Sequence, residues 1–414
     1  MTKRQARRGG IVVLILAVLG GIGAAGWRLA PSSSSEHAQS ATAKPVSSSA
    51  PPSVTFTPAD GATDVALSQR VQLQVERAHI VSAQLLAPNG VAVPGVTVAD
   101  GSLWYAGLTS LQPSTRYEIH ARVADDKGRE RDATASFTTL SPGTGLSWTM
   151  TPGDNDVVGI GMPVIIKFRQ PVADKAAVER RLQVQTSKPV VGAWHWFSDT
   201  EVRFRPLGYW PANTDVGVIA DLTGVDAGNG VWGTDVHSIH FRIGDAHVST
   251  ADANSHTLTV TDNGRVVGVY PASLGREKYP TMSGVHIVLN KQQSVVMDSA
   301  TNGIPRNSPD GYFETVFWDV AISDHGEYVH AAPWSVSDQG HTNVSHGCVN
   351  LSVPNATSFF MFSQRGDVVN VVGTGRPPDT SDTAMKDWNM PWSQWVAGSA
   401  LARAPGPDPS TLIR

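Results

Sequence analysis

Apolar and polar residues alternate along the chain from Val54 to Leu140. Val71-Gln72-Leu73-Gln74-Val75 alternates without a break. So does Tyr117-Glu118-Ile119-His120-Ala121-Arg122-Val123, which runs into the turn Asp125-Asp126-Lys127-Gly128. Period-two patterning sends every second side chain to one face, so these runs predict half-buried strands. Ala133 to Thr139 closes the unit, and residues 53–140 are predicted to form a small β-sandwich.

Residues 146–245 read as a diverged copy. Thr57-Pro58 with Asp60 is echoed by Thr151-Pro152 with Asp154. Pro113-Ser114-Thr115 is echoed by Pro211-Ala212-Asn213-Thr214, and Phe137-Thr138-Thr139 by Phe241-Arg242-Ile243. The repeat is domain-sized, which predicts two tandem sandwiches and not a solenoid. Neither copy clusters aromatic and polar residues into a ligand groove, so the pair reads as a spacer, with wall binding as the alternative.

The pattern changes over 246–374. Thr257–Thr261 and Val266–Tyr270 flank Asp262-Asn263-Gly264, a hairpin signal. Val285–Leu289 and Ser294–Met297 continue a sheet, and Asp298–Gly311 is a loop rich in Gly and Pro that predicts a lid. Asn355–Arg365 has a helical pattern and Asp367–Val372 is a final strand. In the tail, 375–414, Trp388, Trp392 and Trp395 recur at helical spacing and are predicted to pack the tail onto the preceding domain. The fold class is therefore mostly β, with one short helix.

At the front, Lys3, Arg4, Arg7 and Arg8 precede an uncharged run from Gly9 to Trp27. Such a run approaches the roughly 20 residues that span a bilayer. Its basic flank predicts that the bulk of the chain lies outside the inner membrane. Residues 1–29 read as a signal-anchor, with a cleavable signal peptide as the alternative. The Ser/Ala/Pro-rich segment 30–52 reads as a flexible linker.

The 414 residues carry a net charge of -4, which gives no reason to expect a nucleic-acid partner. Charged residues make up 16%, against 39 glycines and 27 prolines, which fits a β-rich extracellular protein.

The chain has one cysteine, Cys348, set in Ser345-His346-Gly347-Cys348-Val349-Asn350. A lone thiol cannot form an internal disulfide, and its polar neighbours argue against an idle apolar site. Thiol chemistry needs a nearby base. His346 shares an extended face with Cys348 at roughly 6.5 Å, too far for a direct hydrogen bond unless the chain turns at Gly347. His330, in Tyr328-Val329-His330-Ala331-Ala332-Pro333-Trp334, arrives from another segment and is the preferred base. A zinc set of His330, His341, His346 and Cys348 is the alternative, though its spacing matches no standard structural pattern. Asp324, Glu327 and Asp338 lie near the site in sequence and read as solvated loop charges.

His330-Ala331-Ala332-Pro333-Trp334-Ser335, followed by His341-Thr342-Asn343-Val344-Ser345-His346-Gly347-Cys348-Val349-Asn350, resembles the active-site signature of the L,D-transpeptidases. The tail Asp387-Trp388-Asn389-Met390-Pro391-Trp392 and the two preceding sandwiches resemble the mycobacterial members. The resemblance implies two immunoglobulin-like domains, a catalytic domain and a C-terminal subdomain. It implies a cysteine acyltransferase acting on peptidoglycan stem peptides: a donor tetrapeptide and an acceptor stem, joined by a 3→3 cross-link.

By position, Cys348 would be the nucleophile and His330 the base, its imidazolium stabilising the thiolate. The backbone carbonyl of Ala331 would complete the set. The N–H groups of His346, Gly347 and Cys348 would form the oxyanion hole. Tyr312, with the segment Met297–Trp318, would cover the donor stem, and Trp334, Ser345, His346 and Asn350 would contact substrate or support the site. Carbapenems would acylate the same cysteine. No metal, ATP or other cofactor is implied. An L,D-carboxypeptidase and a non-enzymatic wall-binding protein are the alternatives.

Overall fold

A computed structural model describes residues 51–88, 90–108 and 111–402; the expected anchor, and the expected linker up to residue 50, lie outside them. Among the described residues no helix is long and apolar enough to cross a membrane.

The first sandwich pairs a sheet of Ser53–Thr57, Gln72–Glu76, Leu103–Ala106 and Gly95–Thr97 with a five-stranded sheet whose long strands are Ala78–Leu86, Arg116–Asp125 and Glu130–Thr139. The inward residues of the alternating runs, Leu73, Val75, Ile119 and Val123, meet Trp104 and Phe137 in its core. The second sandwich repeats the plan, with Val164–Phe168 and Glu201–Pro206 in one sheet and Asp215–Asp221 and Val236–Ile243 in the other. The echoed residues make the same contacts. Asp60 accepts from Ser136 N–H at 2.8 Å, and Asp154 accepts from His240 N–H at 2.8 Å. Ser114 and Asn213 both take left-handed φ, and their N–H groups donate to Leu140 O and Gly244 O at 2.9 Å each.

The third unit has strands β1 (His247–Asp252), β2 (Thr257–Asp262), β3 (Arg265–Pro271), β4 (Gly284–Ile287), β5 (Asn290–Asp298), β6 (Phe313–Ala321), β7 (Tyr328–Ala331) and β8 (Val349–Leu351). They are followed by α1 (Val353–Phe362) and β9 (Val368–Val372). One sheet runs β3-β2-β1-β9-β4 and the other β5-β6-β7-β8. Asn263 and Gly264 take φ of 48° and 81°, the left-handed pair that a type I′ hairpin turn requires. Helix α1 begins at Val353, because Ser352 caps it by accepting from Asn355 N–H and Pro354 suits the first turn. It stops at Phe362, short of the expected Arg365, because Ser363 is extended. Val320, Val329, Val349, Leu351 and Phe359 fill the core between this helix and its sheet.

One expectation is corrected. The last six residues of the expected cover Met297–Trp318, Phe313–Trp318, are the start of strand β6 along β5, so the hairpin tip between the two strands is what can act as a cover. The tail packs on the preceding domain as expected, where Ala384, Met385 and Trp388 join Met282, Ile287 and Leu289, and it packs on the second sandwich as well. Arg205 lies under the rings of Trp388, Trp392 and Trp395 at 4.9, 5.1 and 4.6 Å. Trp395 Nε1 donates to Ala193 O at 2.8 Å, and Asp387 pairs with buried Arg203 at 2.8 Å. Asn389 bonds both N–H and C=O of Val285, tying the tail to β4 as well.

Candidate active site

Strands β7 and β8 run parallel, with Val329 opposite Val349 and His330 opposite Asn350. Val329 and Val349 point into the core. By the period of two, His330, Asn350 and the residue before β8, Cys348, share the opposite face. The segment 273–276 clamps the nucleophile loop from the other side. Ser273 exchanges backbone bonds with Asn350 (2.9 and 3.0 Å), Ser345 N–H donates to Leu274 O at 3.1 Å, and Arg276 N–H donates to Ser345 O at 3.0 Å.

A cavity of ≈ 170 Å³ opens on this face. It is lined by Cys348 and His330, by all six expected substrate contacts (Met297, Tyr312, Trp334, Ser345, His346 and Asn350), and by two residues the sequence did not mark, Glu314 and Val344.

His330 is buried, and its Nδ1 lies 3.0 Å from Ala331 O. A carbonyl only accepts, so Nδ1 carries the proton and Nε2 keeps the lone pair. That is the tautomer a base needs. Burial lowers the imidazole pKa to about 4. Burial also pushes the Cys348 thiol up to about 12, with Glu327, Asp319 and Glu314 adding to the effect. The resting pair is therefore a neutral thiol beside a neutral imidazole. Burial thus works against the expected thiolate held by an imidazolium, and the thiol donates to Gly326 O at 3.8 Å.

The rival base is engaged elsewhere. His346 Nε2 lies 2.7 Å from Arg276 Nη2. A guanidinium only donates, so Nε2 accepts and cannot take the thiol proton. The same contact removes His346 from the zinc alternative. The His346 ring sits between Tyr279 and Tyr312, at 5.1 and 4.9 Å.

The expected oxyanion hole loses one member. Gly347 N–H donates to Ser345 Oγ at 3.1 Å, and that hydroxyl donates to Cys348 O at 2.6 Å. Ser345 thus shapes the loop through both of its bonds, and Gly347 serves by its φ of 129°. A Cβ there would meet Glu327 Oε1 at 3.2 Å. Asn350 supports the site from below, its Nδ2 donating to Ser335 Oγ at 3.1 Å. Trp334 is half exposed, its ring 6.1 Å from that of His330.

Glu327, expected among solvated loop charges, is buried. It accepts from Met282 N–H at 3.1 Å and pairs with Arg376 at 3.2 Å. Burial raises its pKa to about 7. The hairpin tip is also tethered. Asp310 accepts from Arg276 and Lys278 at 2.5 Å each and from Tyr279 at 3.1 Å. The charged run Arg276-Glu277-Lys278-Tyr279 was the one sequence signal for this contact, and it gave no hint of its partner.

Comparison with known proteins places the chain in a family. A family model for a bacterial Ig domain matches residues 62–226, and one for an L,D-transpeptidase catalytic domain matches residues 246–371. L,D-transpeptidase 2 of Mycobacterium tuberculosis is 40% identical over 351 residues, covering 85% of this chain and 86% of that protein. L,D-transpeptidase 5 of the same organism is 34% identical over 357 residues, covering 84% and 77%. Among solved structures, an LD transpeptidase in complex with imipenem is 40% identical, covers 56% of this chain and 100% of that one, and superposes with a TM-score of 0.49.

Proposed function

The chain belongs to the L,D-transpeptidase family, and we propose that it forms 3→3 cross-links in peptidoglycan through a thioester on Cys348. Cys348 Sγ attacks the carbonyl on the L-centre of the third residue, meso-diaminopimelate, of a tetrapeptide stem, and the thiol proton passes to His330 Nε2. The backbone N–H groups of His346 and Cys348 are the donors assigned to the oxyanion. Collapse breaks the bond to the terminal D-alanine, whose amine takes the proton from His330. The side-chain amine of a second stem then attacks the thioester, gives its proton to His330 and frees the thiol. Carbapenems acylate the same sulfur by opening of the strained ring. On the basic and apolar N-terminal pattern, this chemistry takes place outside the cytoplasmic membrane.

The observation that carries the reading is the placement of Cys348 and an Nδ1-protonated His330 in one cavity. Because both groups are neutral at rest, proton transfer accompanies attack and does not precede it. Tyr312, Met297 and Trp334 are the proposed contacts for the donor stem.

Intact-mass spectrometry of the full chain tests the reading, after incubation with a disaccharide tetrapeptide and, separately, with a carbapenem. An adduct on Cys348 together with a dimer retaining one D-alanine is the expected result. Release of tripeptide alone would make the protein a carboxypeptidase, and absence of any adduct on folded, reduced protein would overturn the acyl-enzyme.

A further inference from the structure

Strand β6 is irregular directly across from the base. Phe317 pairs with Ala331 and Val320 with Val329, so Trp318 and Asp319 together stand opposite His330. Two residues facing one make a β-bulge, a device that re-aims side chains beside active sites. Trp318 takes φ 59°, a conformation that a bulky side chain keeps only where its surroundings impose it. Its ring packs on Phe360 of α1 at 5.4 Å, and Val320 lies in the core under the same helix. Asp319, between them, turns to the opposite face, the face of Tyr328, His330 and Cys348.

Asp319 is 1% exposed, and both of its carboxylate oxygens are buried without a hydrogen-bond partner. Among the described residues no other carboxyl group has both oxygens in that condition. A buried acceptor with no donor destabilises the fold, and such exceptions concentrate at functional sites. Burial keeps the group protonated up to about pH 7, and its charge raises the pKa of both Cys348 and Tyr328.

The neighbours leave one role open. From β7, Tyr328 and His330 face the carboxyl; from the start of β8, Cys348 does; on its own strand, Glu314 lines the cavity; and Glu327, just before β7, acts on the thiol but is paired with Arg376 at 3.2 Å. Lys291 of β5 points to the helix side, where its ammonium donates to Phe360 O and Ser363 O at 2.8 and 2.5 Å. Helix α1 brings no titratable side chain. Among the described residues His330 hydrogen-bonds only to the neutral Ala331 carbonyl, so the positive charge that it acquires during acylation has no other anion placed opposite it across the strand pair.

We propose that Asp319 is a positioning residue that acts through His330, its carboxylate stabilising the imidazolium formed as His330 takes the Cys348 proton. Directly opposed strand residues stand about 5 Å apart at Cβ, so the interaction is through space in a low dielectric and needs no bond in the resting state. The inference rests on the acyl-transfer reading of Cys348.

The test follows imipenem acylation of the full chain across the pH range in wild type, Asp319→Asn and Asp319→Ala, with thermal melts of each. Wild type is expected to accelerate as pH rises through the carboxyl's ionisation. Asp319→Asn is expected to lose that rise, to acylate at least about tenfold more slowly near pH 8, and to melt higher than wild type. Should Asp319→Asn not fold, Asp319→Ala carries the same comparison. A variant with the wild-type rate and profile overturns the inference. So does a slower variant that keeps the wild-type pH dependence, which would mark a structural residue. If wild type itself takes no adduct, the acyl-transfer reading falls and this inference falls with it, a result distinct from an acylated wild type beside an indifferent variant.

Discussion

Asp310 and Arg276 are joined at 2.5 Å beside the cavity, one on the hairpin tip between β5 and β6 and the other on the segment that clamps the nucleophile loop. Lys278 and Tyr279 close on the same carboxylate. Arg276 also fixes the His346 ring, which packs on Tyr312, so a single anion links the cover to the cavity wall. Asp310→Asn is expected to raise amide exchange over 303–312 and to slow acylation several-fold. Unchanged protection of that segment would show that the tether does not hold the tip. The hydrogen bond from Lys278 leads in lowering the Asp310 pKa below its usual value. A depressed carboxyl stays ionised above its unfolded pKa and loses its contribution only as pH falls through the lower folded value, so the tether is constant from pH 5 to pH 8.

The thiol makes a second prediction. With its pKa pushed up to about 12 by burial, Cys348 holds almost no thiolate at neutral pH. Alkylation by iodoacetamide is expected to be slow at pH 7 and still rising above pH 9, and peroxide oxidation is expected to be slow for the same reason. A rate that reaches its plateau near pH 7 would restore the thiolate–imidazolium pair expected from sequence.

The sequence was most legible where the signal is local. Asn263-Gly264 named its turn because only left-handed residues fit it. Cys348 and His330 were legible by type and spacing. What stayed hidden depends on register and on partners far along the chain. The bulge that aims Asp319 is a property of how β6 pairs with β7, and no run of residues displays it. Glu327 looked like a loop charge because its partners, Met282 and Arg376, lie 45 and 49 residues away. Gly347 looked like an oxyanion donor until the Ser345 hydroxyl was found on its N–H.

His330 predicts how the fold meets acid. Its folded pKa of about 4 lies below the ordinary imidazole value of 6.5. Between those values the unfolded chain binds the proton more tightly, so stability falls as pH drops from 6.5 towards 4. The full shift corresponds to about 3 kcal/mol at most. His330→Gln is expected to flatten the stability curve in this window, read by urea unfolding at pH 4.5 and pH 7, while abolishing acylation. If the variant and wild type lose stability in parallel, another group carries the acid response.

The tail is held by charges taken fully out of water. Arg203 and Asp387 meet at 2.8 Å with both side chains 1% exposed, and burial raises the Asp387 pKa even beside the guanidinium. One Asp387 oxygen and one Arg203 nitrogen have no further partner, so the pair is imperfectly satisfied. Arg203 also pairs with Glu201 at 2.7 Å, so removing Asp387 strands only part of its charge, at up to about 3–5 kcal/mol, whereas replacing both members of a buried pair with apolar groups of similar volume is often neutral. Asp387→Ala is therefore expected to destabilise the protein sharply in urea unfolding. Arg203→Met with Asp387→Leu is expected to recover most of the loss, because the Arg205–tryptophan stack and the Trp395 bond to Ala193 stay in place. A double variant no more stable than Asp387→Ala would mean that the ion pair itself fixes the tail to the second sandwich.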